Sequence, residues 1–144
     1  MDAKRLMVGT LVGGVVLYAV GYVIFTRAFA DFYAANAGSA TGVDRGGDLF
    51  WAMALANLSY AALVMFAIAN RGGSLSIGEG AMVGAIVGFL MWFTADFVFY
   101  SATNIANLTR TVVDPLLEIV HGGIGGAAIA AVLGRMPASG SRPA

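Results

Sequence analysis

The chain has 144 residues, 59% of them hydrophobic and 11% charged, where a soluble domain is about 45–50% apolar and about 25% charged. Lys+Arg and Asp+Glu balance at 8 each, so no basic excess is present to recruit nucleic acid. With no cysteine and a single histidine, disulfides, thiolate chemistry and a His-rich metal centre within one chain are excluded.

Lys4 and Arg5 open the chain, and Leu6 to Thr26 then runs without a charge. About 20 such residues cross a hydrocarbon core of about 30 Å. The basic start and Ala28-Phe29-Ala30 also resemble a signal peptide and its cleavage site. The apolar run is longer than the roughly 7–15 residues of a signal core, which favours a retained span. Arg27 to Asp48 is the longest polar segment. Its centre, 36–47, is rich in Gly, Ser, Asn and Thr and reads as loop. The aromatic stretch 28–35 before it extends the first helix along the membrane surface.

Leu49 to Asn70 forms a second span and Arg71 to Gly80 a short Gly/Ser loop. Ala81 to Ala102 forms a third span, which contains Asp96, and 103–114 a polar connector. Asp114 before Pro115 has the pattern of a cap followed by proline at the first helical position, so a fourth span runs over 115–134. A loose tail follows over 136–144. The chain thus reads as a single all-α membrane domain, a four-helix transmembrane bundle, because backbone in lipid must satisfy its own hydrogen bonds.

With both termini on one side, that side holds Lys4, Arg5, Arg71, Arg135 and Arg142, against Arg27, Arg45 and Arg110 on the other. The excess predicts both termini in the cytoplasm and a multi-pass protein of the cytoplasmic membrane. Phe29, Tyr33, Trp51, Phe97 and Tyr100 then gather at the opposite boundary, where aromatic rings anchor helices.

Glycines recur at spacing four. Gly80, Gly84 and Gly88 mark the third span, Gly122, Gly126 and Gly134, with Ala130 between the last two, the fourth, and Gly9 and Gly13 the first. Such spacing lets backbones approach closely in lipid. Helix packing through Gly84, Gly88, Gly122 and Gly126 is expected, with a dimer interface as the alternative. Gly84, Gly88, Gly126 and Ala130 lie in the cytoplasmic half or near the midplane, so the bundle is expected to close there and to widen toward the periplasm around a polar pocket.

Each span brings polar groups to one layer. The candidates for binding a small polar ligand or relaying a proton are Tyr22, Asn57, Tyr60, Asp96, Tyr100, Glu118 and His121. Counting about 1.5 Å per residue from Ala81 and Pro115 places Asp96, Glu118 and His121 in the outer third. Glu118 then reaches headgroup water, and Asp96 pairs with His121 to lower the cost of burial. Arg110 pairs with Asp114 or Glu118. A network that merely fixes helix register is the competing reading. Glu118-x-x-His121 also has the spacing used in di-iron carboxylate bundles, which need two such motifs, so only a symmetric dimer completes a metal site. No nucleophile elbow, phosphate loop, HExxH or dinucleotide fingerprint occurs, so neither an enzyme nor a cofactor is indicated. The alternative function is an accessory subunit packing on itself, or on a larger membrane complex, through the glycine-rich faces.

Gly21-Tyr22-x-x-Phe25 at the end of the first span, the Gly-rich third span and the fourth span opening near Val113-Asp114 resemble small bacterial four-span membrane proteins, the family catalogued as domain of unknown function 1761. The resemblance covers about residues 6–134 and implies the four-span fold. That family's pattern has Trp-Tyr near the end of the first span, where Gly21 precedes Tyr22 here. It carries no established activity, so it implies no catalytic residue.

Overall fold

A computed structural model describes residues 3–43, 45–71 and 75–136. These form α1 (Ala3–Gly21), which passes into a π-helical turn over Tyr22–Ala28, then α2 (Ala30–Ala35), α3 (Phe50–Ala69), α4 (Ile77–Ala102) and α5 (Leu108–Gly134). The fold is all-helical. Four helices, Ala3–Ala28, α3, α4 and α5, are long and apolar enough to cross a membrane. The tail expected over 136–144 lies, from residue 137 on, outside the described residues.

Two helix starts differ from the sequence expectation. Helix α4 begins at Ile77 rather than Ala81. The Ser76 hydroxyl accepts from the Glu79 amide, and the Glu79 carboxylate accepts from the Ser76 amide at 2.7 Å. This reciprocal cap satisfies two of the amides a helix start leaves unpaired. Helix α5 begins at Leu108 rather than Pro115. The Asn107 side chain accepts from the Arg110 amide at 2.9 Å, and the Thr111 hydroxyl donates to the Asn107 carbonyl at 2.9 Å. Pro115 therefore lies inside α5, and 108–114, read as connector, is helix. Proline there lacks the amide that would bond the Thr111 carbonyl one turn back.

The helices run up and down. Helix α1 packs on α3 and α5, and α4 lies mainly on α5. Small residues decide how closely they approach. A Cβ on Gly84 would fall on the carbonyl oxygen of Gly122, and one on Gly126 would fall on that of Gly80. The α4 and α5 backbones are thus in direct contact. Such contact lets dispersion act over the whole facing surface of the two helices. On α1, Gly9 faces Met65 of α3, while Gly13 faces Ala61 of α3 and Ile129 of α5.

The apolar core lies toward the chain termini. Leu17, Ala61, Val64, Met65, Ile68, Ile129 and Leu133 are buried together, with Leu75, Val83 and Val132 packed against them. At that end the Arg5 guanidinium donates to the carbonyls of Leu133 and Met136, each at 3.1 Å. A cation thereby occupies the negative end of the α5 dipole.

The other end is built differently. Residues 36–40 pair with the α4–α5 connector. Gly38 donates to Ile105 at 2.9 Å, Ala40 to Asn104 at 3.0 Å, and Asn107 to Asn36 at 3.2 Å. The Gly38 backbone touches Asn104 so closely that a Cβ would overlap its carbonyl. This tie holds α2 beside the first turns of α5, where the Tyr33 hydroxyl donates to Asp114.

Candidate functional site: a cavity floored by a buried His–Glu pair

Between the helices, at the end that carries α2, lies a cavity of about 1020 Å³. That is at the top of the roughly 300–1,000 Å³ range of ligand pockets. Its deepest polar group is His121. Helix α5 carries Asp114, Glu118, His121 and Gly125 on one face, because spacings of four, three and four return to the same side of a helix. With α5 starting at Leu108, Glu118 is in mid-helix and not in its first turn. Its exposure is 2% and that of His121 is 4%. The expectation that Glu118 reaches headgroup water is therefore corrected.

The His121 ring is held at both nitrogens. Nε2 lies 2.8 Å from the Leu17 carbonyl oxygen and Nδ1 lies 2.9 Å from Glu118 Oε2. A carbonyl only accepts, so Nε2 carries a hydrogen. The proton between Nδ1 and Oε2 then sits on the imidazole or on the carboxyl, and the pair is net neutral in both cases. The buried Tyr60 hydroxyl donates to the same Oε2 at 3.2 Å. Phe25 and Tyr60 flank the imidazole edge-on, with centroids at 5.5 and 5.6 Å.

Glycines make room for these side chains. A Cβ on Gly21 would stand 3.1 Å from His121 Nε2 and 3.2 Å from Cε1. The Tyr60 hydroxyl enters between Gly88 and Gly122, occupying the space a Cβ on either would fill. Gly125 leaves room for Leu17. Just after Gly21 the helix widens. The Phe29 amide donates five residues back, to the Ile24 carbonyl at 2.9 Å, and Tyr22, Phe25 and Thr26 of this wide turn line the cavity. Single wide turns of this kind recur at functional sites.

Above the floor the lining is aromatic and charged. Asp96 of α4 faces Asp114 of α5, and Asp48 stands at the rim. The Arg110 guanidinium lies 4.8 Å from the centre of the Tyr33 ring. Burial holds the Tyr33 phenol above its ordinary pKa, aided by the hydrogen bond to Asp114 and that carboxyl's charge and opposed by Arg110. Arg27 stacks 5.2 Å over Tyr22 and donates to its hydroxyl at 2.7 Å. Among the described residues, two buried polar atoms have no protein partner, Trp92 Nε1 and Asp96 Oδ2, one turn apart on α4.

Six of the seven residues expected in the polar layer meet here. Tyr60, Glu118 and His121 bond to one another, and Tyr22, Asn57 and Asp96 line the cavity. Asn57 also donates to the Met53 carbonyl of its own helix at 2.9 Å. Tyr100 does not take part. It is 42% exposed and stands outside the lining, because it sits a full turn beyond Asp96 toward the end of α4. The expected Asp96–His121 pair is absent, since both His121 nitrogens are bound elsewhere. The Glu118 and His121 side chains are likewise engaged with each other. Among the described residues no three His, Asp or Glu side chains converge as metal ligands.

Sequence reading missed Tyr33, Asp114 and Trp92 as part of the site, and the Leu17 carbonyl as its anchor. Placing the α5 cap at Asn107 brings Asp114 onto the Glu118–His121 face. A backbone acceptor has no signature in the sequence. No family model, curated protein or solved structure matches the chain.

Proposed function

We propose that the chain is a multi-pass protein of the cytoplasmic membrane, with both termini inside, that binds a small ligand in the cavity from the non-cytoplasmic side. The observation that carries this reading is the split in how the polar groups are satisfied. Tyr60, Glu118, His121 and the Leu17 carbonyl satisfy one another, which suits a network that fixes helix register. Asp96 and Trp92 are different. Each has a buried atom with no protein partner among the described residues, and Asp96 faces a second carboxyl. Two carboxyls brought together within a span are costly to hold ionised, at about 2.5–3.5 kcal/mol for an ionised group on insertion scales. Register is already set by the glycine contacts, so this cost serves a bound ligand better than it serves the fold. The excess of Lys and Arg on the terminal side supports the orientation.

The absence of cysteine makes single-cysteine labelling a direct test. Ser59 lines the cavity, and Gly134 sits at the opposite end of the bundle with open space around it. In intact cells, a membrane-impermeant maleimide labels Ser59→Cys, and labels Gly134→Cys only after permeabilisation. Labelling of Ser59→Cys only after permeabilisation overturns the orientation. No labelling from either side overturns a water-reachable cavity.

A further inference from the structure

We propose that the ligand is an organic cation with a hydrophobic body, its charged group seated against Asp96 and Asp114 and its body among the aromatic rings. This rests on the ligand-binding reading of the cavity.

Charge balance is the first reason. Glu118 and His121 cancel. Among the described residues, that leaves three carboxyls in the lining, Asp48, Asp96 and Asp114, and a single guanidinium, Arg110. Arg110 lies against the Tyr33 ring, Tyr33 donates to Asp114, and the Arg110 charge also acts on Asp96, so one cation serves two facing carboxyls. Asp96 Oδ2 has no donor among the described residues. The Asp96 carboxyl is bonded to that of Asp114, and a cationic group placed between α4 and α5 would meet both and stabilise their ionised forms.

The walls give the second reason. The negative face of an aromatic ring attracts cations, and the chain already uses it twice here, with Arg27 over Tyr22 and Arg110 over Tyr33. Tyr18, Tyr60 and Trp92 supply further ring surface in the same cavity. A metal ion fits less well. The cavity is far larger than any ion, and among the described residues no three ligating side chains converge. An anion meets the wrong sign, and a neutral apolar molecule leaves Asp96 uncompensated. Recognition of bulky ammonium groups by rings combined with carboxylates fits both the size and the charge.

The test uses Ser59→Cys protein in detergent, labelled with an uncharged maleimide, and asks which compounds slow the labelling. The probes share a shape and differ in charge: tetraphenylphosphonium, triphenylphosphine oxide and tetraphenylborate. The expected result is protection by the cation at about tenfold lower concentration than by the neutral compound, a factor of ten in affinity, and none by the anion. The advantage of the cation is expected to vanish in Asp96→Asn and to shrink in Asp48→Asn, whose rim position leaves the fold undisturbed. Equal protection by the cation and the neutral compound overturns the inference and leaves the ligand pocket standing. So does free labelling in the presence of all three. If the thiol introduced by Ser59→Cys is unreachable in the folded protein, the pocket reading fails, and this inference fails with it.

Discussion

Nδ1 of His121 lies 2.9 Å from Oε2 of Glu118, one turn away on the same helix, and neither side chain reaches solvent. The pair is anchored across the bundle by the 2.8 Å contact of Nε2 with the Leu17 carbonyl. It acts as a cross-link between α1 and α5 made of one imidazole.

Removing either member leaves the other buried without its partner. His121→Ala and Glu118→Ala should each destabilise the protein by about 3–5 kcal/mol, the usual result of breaking a buried pair. Glu118→Gln should cost much less. A neutral imidazole with hydrogen on Nε2 can accept at Nδ1 from the amide, and the geometry survives. Unfolding midpoints in a denaturant series on the detergent-solubilised protein check this. Equal losses for the Ala and Gln variants at position 118 would refute the hydrogen-bonded account.

Gly88 and Tyr60 form a second measurable pair. A methyl at Gly88 falls on the Tyr60 hydroxyl and against the Glu118 carbonyl, so Gly88→Ala should destabilise by about 1–3 kcal/mol, as overpacking does. Tyr60→Phe loses a bond to a carboxyl and should cost about 1.5–3 kcal/mol. The double variant should lose less than the sum, because phenylalanine lacks the atom the methyl strikes. Gly78→Ala is the control. Nothing lies within 4 Å of a Cβ there, and it should be neutral or gain about 0.5–1 kcal/mol from helix propensity.

Tyr33 predicts an alkaline effect. Its phenol is held above its ordinary value of 10.0, first by burial and then by Asp114. The folded state therefore favours the protonated form. That stabilisation is complete below about pH 10 and declines as pH rises past it, where the unfolded chain releases the proton first. Wild type should lose stability more steeply than Tyr33→Phe between about pH 9 and about pH 11. Parallel slopes for the two proteins would remove Tyr33 from the account.

Four long apolar helices were legible in the sequence because apolar length is a strong signal. The start of α5 was not. Asp114-Pro115 is a good helix opening in isolation, yet Asn107 and Thr111 cap an earlier start, and Pro115 is carried inside the helix. That shift moved Glu118 from the boundary to mid-helix and left Asp114 out of the expected site. The spacing of Asp114, Glu118 and His121 was the signal that would have recovered it. The glycines were read as contacts between helices, which Gly84 and Gly126 are. The space that Gly21 and Gly88 leave for His121 and Tyr60 depends on side chains remote in sequence. Tyr33 was legible as an aromatic near a membrane surface, but its bond to Asp114 spans 81 positions and has no local trace.

The anchoring of His121 on Leu17, across 104 residues, bears on how the chain is assembled. Helices α4 and α5 are neighbours in sequence and can dock as a hairpin as they emerge. Helix α1 precedes α5 in the chain, so its Gly21 notch and Leu17 carbonyl stay open until the His121 ring has been made. Arg5 waits likewise for the end of α5. Helix α5 is thus the keystone of the bundle: it supplies both the ring at the floor of the cavity and the carbonyls that clasp Arg5, so a fault in that one helix unlatches α1 at two places.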